Sequence, residues 1–134
     1  MQPGQTALVT GAAGGVGTAL LQLLHLAGAK TYGAASLMKH GMVGKLGATP
    51  IDYRSGGMDR LTRVLEPQGV DYVFDGVGGA NIGLSIGAAR RGGTVVGYGF
   101  MALRGTTATL NCYRGKFPAL DTFTPFARHL ELLR

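Results

Sequence analysis

A glycine cluster near the start of the chain joins a strand-like run to a helix-like run. Residues 5–10 are apolar and β-branched, which is typical of a buried strand. Apolar residues then recur with the period of an α-helix, at Val16, Ala19, Leu20, Leu23, Leu24 and Ala27. The cluster between them consists of Gly11, Gly14, Gly15 and Gly17 and contains the spacing G-x-x-G-x-x-G. A strand, a glycine turn and a helix in that order predict the first unit of an α/β fold.

The same alternation continues through the next 70 or so residues. Further strands are predicted over residues 29–35, 47–51, 70–75 and 93–99, and further helices over residues 38–46, 58–65 and 82–91. Five strands alternating with four helices predict a single α/β domain with a doubly wound parallel sheet, the Rossmann fold. A chain of 134 residues is too short for an eight-fold barrel.

The alternation stops near residue 102, which divides the predicted domain into two parts. Residues 1–102 are interpreted as the Rossmann core, and residues 103–134 as a C-terminal extension of the same domain. The extension has one strand-like run at 106–110 and one helix-like run at 124–134.

Composition excludes several other classes of protein. Glycine accounts for 24 of 134 residues, without the period of collagen, and the apolar fraction of 46% is enough for a core. One cysteine excludes a disulfide framework and a cysteine-rich zinc site, so no metal is expected, and it agrees with a cytoplasmic location. The net charge of +6 is scattered rather than clustered, which argues against a nucleic-acid partner.

Residues 1–29 contain no charged side chain, and 11–29 are long enough to span a membrane. We reject a membrane span because this window contains five glycines and three polar residues, and no basic residue precedes it.

The glycine cluster has the features of a dinucleotide site. One glycine permits the tight turn, one lets the backbone approach a pyrophosphate, and one lets the helix pack closely on the strand. The N-terminus of the following helix offers free N–H groups and the positive end of its dipole to the phosphates. The glycines predicted to form the site for the pyrophosphate half of a cofactor are Gly11, Gly14, Gly15 and Gly17.

The end of the second predicted strand favours NADP(H) over NAD(H). An NAD site places an acidic residue about 20 residues beyond the glycines, where it binds the ribose hydroxyls. Here no acidic residue precedes Asp52, and the second strand ends in small neutral residues followed by Ser36 and Lys39. Tyr53 and Arg54 follow the third strand, and hydroxyl and cationic groups suit a 2′-phosphate. Ser36, Lys39 and Tyr53 are therefore candidate 2′-phosphate ligands.

Two more glycine-containing loops follow the fourth and fifth predicted strands. They contain Gly76 and Val77, and Gly97 and Tyr98, respectively. In open α/β sheets ligands bind at the carboxyl ends of the strands, so these four residues are candidates for contact with the nicotinamide half. The alternative is that these loops are only turns, in which case Asp75, just before the first of them, binds backbone amides of its own turn. The sequence identifies no catalytic residue.

The chain resembles the nucleotide-binding domain of the medium-chain dehydrogenase/reductase superfamily. The similarity extends over residues 2–100, and it is greatest to the zinc-independent, quinone-oxidoreductase-like branch. It is carried by Gln2-Pro-Gly-Gln-Thr-Ala-Leu-Val-Thr-Gly-Ala-Ala-Gly-Gly-Val-Gly17, Ser36-x-x-Lys39, Leu46-Gly-Ala48, Ile51-Asp-Tyr-Arg54, Val70-Asp-Tyr-Val-Phe-Asp-Gly-Val-Gly-Gly79 and Gly92-Gly-Thr-Val-Val-Gly97.

This resemblance implies hydride transfer from NADPH to a small-molecule substrate, a quinone or an α,β-unsaturated carbonyl. It also implies that Ala13 to Gly17 contact the pyrophosphate and that Ser36, Lys39 and Tyr53 surround the 2′-phosphate. One departure is Gly76, where members of the superfamily often have Asn. Another is that this chain lacks the N-terminal substrate domain of the superfamily, so we expect an excised domain that is inactive by itself.

Three alternatives stay open at the level of sequence. A short-chain dehydrogenase would share the glycine loop, but none of the five tyrosines has the Lys four residues later that its proton transfer needs. The second alternative is a non-catalytic module that binds a nucleotide or contacts RNA through its positive charge. The third concerns assembly: the C-terminal extension is a candidate edge for a homodimer.

Overall fold

The computed structural model describes residues 1–99 and 119–122. Its parallel sheet has the strand order β3-β2-β1-β4-β5-β6, which is the order of dinucleotide-binding Rossmann folds. The strands are β1 (Thr6–Val9), β2 (Lys30–Ala35), β3 (Thr49–Asp52), β4 (Val70–Asp75), β5 (Ala89–Gly97) and β6 (Ala119–Thr122). The helices are α1 (Gly15–Leu26), α2 (His40–Lys45), α3 (Met58–Leu65) and α4 (Asn81–Ala88), with a 3-10 turn at Leu37–Lys39. The predicted doubly wound fold is confirmed.

Helices cover both faces of the sheet. Successive residues of a strand point to opposite faces, so each strand contributes side chains to both helix layers. Ala7 and Val9 of β1 pack on one side with Leu21 of α1 and Val43 of α2. On the other side, Leu8 lies in a cluster that includes Met58 of α3 and Ala88 of α4. The strands are therefore buried on both faces, as their continuous apolar runs predict.

The buried face of α1 differs from the predicted face. Val16 and Leu23 belong to the predicted apolar face, but they are 59% and 62% exposed. Leu24 of that face is buried, together with Gly17 and Leu21, which lie outside it. Gly17 must lie against the backbone of the preceding turn, and this contact fixes the rotation of the helix. The six apolar positions have regular helical spacing, but that spacing does not determine which face of α1 is buried. The contact of Gly17 with the turn determines which face packs on the sheet.

The fourth helix ends earlier than predicted. The sequence predicts a helix through Arg91, but α4 ends at Ala88 and Ala89 already pairs with Val70 of β4. Arg90 donates to the carboxylate of Asp71, and this contact holds the start of β5 beside β4. A register shift between Val70 and Tyr72 lets the first residues of β5 enter the sheet before the regular pairing from Thr94 onward.

A sixth strand extends the sheet beyond β5. Ala119–Thr122 pairs in parallel with residues 94–97, a strand that the sequence did not predict. The predicted strand at 106–110 and the predicted helix at 124–134 lie outside the described residues. The division of the domain at residue 102 and the homodimer edge stay predictions.

Asp71 connects three neighbouring strands at the amino end of the sheet. Its carboxylate accepts hydrogen bonds from the backbone N–H and the hydroxyl of Thr6 on β1, and from Arg90 on β5. The pKa of Asp71 is lowered from its ordinary value, mainly by the hydrogen bond from the Thr6 amide. The hydrogen bond and positive charge of Arg90 lower it further. The amino ends of β1, β4 and β5 are thereby fixed relative to one another.

Within residues 1–99 and 119–122, no helix is long and apolar enough to cross a membrane.

Candidate functional site

The glycine loop turns the chain from β1 into α1. Gly11 has a φ of +60°, a conformation that side chains disfavour, and its carbonyl accepts a hydrogen bond of 3.0 Å from the Gly14 amide. Gly14 is the residue that precedes the helix, and its backbone is extended. A left-handed residue followed by this short hydrogen bond reverses the chain within four residues, which is the tight turn predicted.

Gly17 allows α1 to lie directly on this turn. A Cβ atom at Gly17 would overlap the carbonyl oxygen of Gly11 and would lie 2.8 Å from the Cα atom of Ala12. Gly15, by contrast, has no atom within 4 Å of such a Cβ. Gly17 therefore has the predicted role of close packing between helix and strand.

The N-terminus of α1 has the electrostatics of an anion site. No side chain caps it, and its first turn contains no acidic residue. The first N–H groups of a helix have no partner within the helix, and the dipole makes that end positive. Gly14, Gly15 and Val16 are exposed there, so their backbone is accessible to a ligand.

Asp75 connects the glycine loop to the loop after β4. Its carboxylate is fully buried. It accepts hydrogen bonds from five groups: the hydroxyls of Thr10 and Ser85, the amides of Val77 and Gly78, and the side-chain amide of Asn81. The expectation that Asp75 binds backbone amides of its own turn is confirmed.

Thr10 completes this connection from the side of β1. Its hydroxyl donates to Asp75 at 2.9 Å and accepts from the Gly76 amide at 3.1 Å. A Cβ at Gly11 would lie 3.8 Å from the side chain of Val77, so the two loops are neighbours. Sequence reasoning missed Thr10, Asn81 and Ser85; the available signal was that Asn81 and Ser85 are four residues apart on the helix that follows Asp75.

The loop after β5 lies against the loop after β4. The Tyr98 amide donates to the Asp75 carbonyl at 2.9 Å. A Cβ at Gly76 would lie 2.7 Å from the Tyr98 hydroxyl, and a Cβ at Gly99 would overlap the Gly76 carbonyl. Gly97 lies at the end of β5, opposite Asp75 in the register. The structure therefore brings together Gly76, Val77, Gly97 and Tyr98 at the same edge of the sheet.

The candidate 2′-phosphate residues lie at the ends of β2 and β3. Ala35 is paired with Asp52, so Ser36 and Tyr53 follow directly from neighbouring strand ends. Lys39 is exposed at the end of the 3-10 turn, and its amide donates to the Ser36 carbonyl at 2.8 Å. The nearby His40 Nε2 lies 3.1 Å from the Ala35 carbonyl and holds this turn against β2.

Arg54 adds a second cation at this end of the sheet. Its Nε donates to the Tyr53 hydroxyl at 3.2 Å, and its guanidinium carbon lies 5.4 Å from the centre of the Tyr53 ring. Tyr53 is 47% exposed, so hydroxyl and guanidinium both remain accessible. Ser36, Lys39, Tyr53 and Arg54 form a neutral-to-positive group, and β2 itself ends without an acidic side chain. Asp52 at the end of β3 is the acidic residue beside this group, and its carboxylate accepts a hydrogen bond of 3.0 Å from the Arg54 amide.

The described residues contain no group of three or more His, Cys, Asp or Glu side chains that could bind a metal ion. The expectation that the protein binds no metal stays a prediction.

The strand order, the glycine turn and the uncapped helix define the protein as a dinucleotide-binding α/β domain. A family model described as zinc-binding dehydrogenase matches residues 15–120, so the chain belongs to this family, within the medium-chain dehydrogenase/reductase superfamily. The resemblance found in the sequence is thereby confirmed.

Three known proteins define the similarity more closely. The human synaptic vesicle membrane protein VAT-1 homolog is 37% identical over 105 residues, covering 77% of this chain and 27% of that protein. Mouse prostaglandin reductase-3 is 33% identical over 104 residues, covering 76% and 28%. Escherichia coli quinone oxidoreductase, crystallised in complex with NADPH, superposes with a TM-score of 0.74 at 26% identity, covering 92% of this chain and 38% of that one.

These relatives confirm the quinone-oxidoreductase-like branch and, at the level of the family, the predicted NADP(H) cofactor. The chain spans about a quarter of the length of the curated relatives it matches.

Proposed function

We propose that the chain is the NADP(H)-binding domain of a zinc-independent oxidoreductase. The reaction is transfer of hydride from NADPH to a quinone or an α,β-unsaturated carbonyl. The cofactor supplies the hydride, and the residues of this chain bind and orient it. Two relatives, a quinone oxidoreductase and a prostaglandin reductase, support this class of substrate.

One observation carries the choice of cofactor. After β2 come Ser36 and Lys39, without the acidic residue that would bind free ribose hydroxyls, and Tyr53 and Arg54 follow β3. The carboxylate of Asp52, the last residue of β3, accepts a hydrogen bond from the Arg54 amide. A 2′-phosphate makes hydrogen bonds with Lys39 and Arg54 in which both partners are charged, whereas an unphosphorylated ribose offers only neutral hydroxyls. NADPH should therefore bind more tightly than NADH.

The dinucleotide extends along the carboxyl edge of the sheet in this proposal. The adenine half lies beside β2 and β3, and the pyrophosphate lies on the N-terminus of α1. The nicotinamide half then lies beyond the glycine loop, over the loops after β4 and β5, because dinucleotides cross the sheet at the point where the strand order reverses. In this sheet that point is the β1–β4 boundary.

Replacing Lys39 and Tyr53 together by alanine tests the cofactor preference. We expect NADPH affinity to fall by about tenfold or more, because a cation and a hydroxyl donor to the phosphate are removed. NADH affinity should change little, since NADH has no 2′-phosphate. Isothermal titration calorimetry with both nucleotides measures the two affinities.

Lys45→Ala is the matched control for this variant, because Lys45 is an exposed lysine at the end of α2. Replacing Lys45 by alanine removes one positive charge, as the double variant does, but at a site outside the group around Tyr53. Equal loss of NADPH affinity in both proteins would show that only overall charge matters. Salt-sensitive RNA binding without nucleotide binding would contradict the proposed function.

The 134-residue chain by itself should bind NADPH weakly and reduce quinones very slowly or not at all. The described residues supply cofactor contacts but no identified proton donor, and the curated relatives are roughly three times as long. A spectrophotometric assay of NADPH oxidation with a soluble quinone measures the rate. Robust turnover by this chain alone would overturn this part of the proposal.

A further inference from the structure

The Tyr98 phenol occupies the space that a side chain at position 76 would fill. A Cβ built on Gly76 would lie 2.7 Å from the Tyr98 hydroxyl oxygen and 2.9 Å from two ring carbons. Gly76 has an ordinary negative φ, so its backbone imposes no requirement for glycine. The reason for glycine at this position is therefore the phenol. The end of β4 has no side chain of its own at residue 76, and the hydroxyl of a different loop is placed there.

Backbone contacts hold the loop that carries Tyr98 against the loop after β4. The amide of Tyr98 donates to the carbonyl of Asp75, and Gly99 packs so closely on Gly76 that a Cβ at Gly99 would overlap the Gly76 carbonyl. The Gly76 amide in turn donates to the hydroxyl of Thr10, which adjoins the glycine loop. Tyr98 therefore lies at the junction of β1, β4 and β5, and little reorganisation is needed for it to make a contact there.

The phenol is a hydrogen-bond donor throughout the neutral pH range. Partial burial raises the pKa of Tyr98 above its ordinary value, and the neighbouring Asp75 carboxylate adds to the rise. Both effects disfavour the phenolate, so the hydroxyl keeps its proton. The side chain is only half-buried, which leaves the hydroxyl within reach of a ligand at the edge of the sheet.

We propose that the Tyr98 hydroxyl donates a hydrogen bond to the nicotinamide carboxamide of the bound cofactor, in the place left free by Gly76. This inference rests on the proposed function, which puts the nicotinamide half over the loops after β4 and β5. A carboxamide oxygen is a good acceptor for a phenol. Tyr98 thereby contributes to the orientation of the ring that carries the hydride, although it lies at the opposite end of the cofactor from the 2′-phosphate group.

Tyr98→Phe tests this role, because it removes the hydroxyl and keeps the ring that packs on Gly76. Two probes distinguish contacts with the nicotinamide from contacts with the rest of the cofactor. They are NADPH and 2′-phospho-ADP-ribose, which lacks the nicotinamide ring. We expect NADPH to bind roughly three- to tenfold more weakly, the effect of one lost neutral hydrogen bond. Binding of 2′-phospho-ADP-ribose should stay within about twofold, since that probe makes no contact with the hydroxyl. Calorimetry on the 134-residue chain measures both affinities.

Tyr72→Phe is the matched control, since Tyr72 lies on the same sheet with its ring stacked 6.3 Å from Phe74 and outside the proposed contacts. It should change neither affinity. Gly76→Ala is a second, independent variant, whose new methyl group must displace the phenol. It should reproduce the selective loss of NADPH affinity.

Three results distinguish the outcomes. Unchanged NADPH affinity in Tyr98→Phe would overturn the inference, because the hydroxyl would then make no contact with the cofactor. Equal weakening of both probes would also overturn it, since the hydroxyl would act on the loops as a whole. If the unsubstituted chain bound neither probe, the proposed function itself would fail, and this inference would fail with it.

Discussion

Replacing Asp75 by alanine is expected to lower the free energy of unfolding by about 3 to 5 kcal/mol. The buried carboxylate accepts from five donor groups on β1, on its own loop and on α4. Alanine removes the acceptor of all five donors, of which those on Thr10, Gly78 and Ser85 are buried, and each buried donor without an acceptor costs on the order of 1 kcal/mol or more. A decrease in Tm of more than about 10 °C should follow for a domain of this size.

Asp75→Asn separates the loss of charge from the loss of the hydrogen bonds. The amide oxygen can replace Oδ1, which binds Thr10 and the two loop amides. Its NH2 group replaces Oδ2, which accepts from Ser85 and Asn81, so only that side is disrupted. We therefore expect an intermediate loss of stability, measured by urea denaturation.

Asp59→Ala serves as the control for both Asp75 variants. This aspartate is in the first turn of α3, where its favourable effect on the helix is about 0.3 to 1 kcal/mol. If Asp75→Ala were no more destabilised than Asp59→Ala, the buried network would not be a major source of stability.

Replacing Gly17 by alanine should give the second large effect, a loss of about 2 to 4 kcal/mol together with loss of NADPH binding. The new Cβ would overlap the Gly11 carbonyl and press on Ala12, and both contacts are backbone atoms that no side-chain rotation can move. The helix must therefore shift away from the turn. Because the proposed pyrophosphate site is formed by that turn and the helix N-terminus, binding should fail along with packing.

The other glycines of the loop provide a graded control. A Cβ at Gly14 would lie 3.3 Å from the Gly11 carbonyl, and one at Gly15 would meet nothing within 4 Å. The loss of stability should therefore follow the order Gly17→Ala, then Gly14→Ala, then Gly15→Ala, with the last near zero. Equal losses at all three positions in urea denaturation would contradict the packing explanation.

The glycine loop could be predicted from the sequence because its constraint is local. Gly11 and Gly17 are separated by a single turn, and their spacing between a strand and a helix indicates the geometry directly. The rotation of α1 could not be predicted in the same way. Leu21 and Leu23 are equally apolar, and only the contact of Gly17 with the preceding turn selects Leu21 for the core.

The polar network around Asp75 shows a different limit of sequence reasoning. Thr10 and Asp75 are 65 residues apart, and their contact exists only because β1 and β4 are neighbours in the sheet. The α/β alternation predicts a parallel sheet, but composition and spacing do not indicate which threonine faces which carboxylate. The prediction of where α4 ends failed for a similar reason. Ala89 and Arg90 are compatible with a helix in the sequence, and only the pairing with β4 makes them part of a strand.

The contact between Thr10 and Asp75 has a consequence for how the chain is made. During synthesis β1, α1 and β2 leave the ribosome long before β4, so β1 has one open hydrogen-bonding edge during that interval. The glycine loop also lacks its carboxylate anchor until residues 75–85 have emerged. A nascent chain that stops before Asp75 therefore exposes one unpaired edge of the apolar central strand, Thr6–Val9, and is prone to aggregate through it.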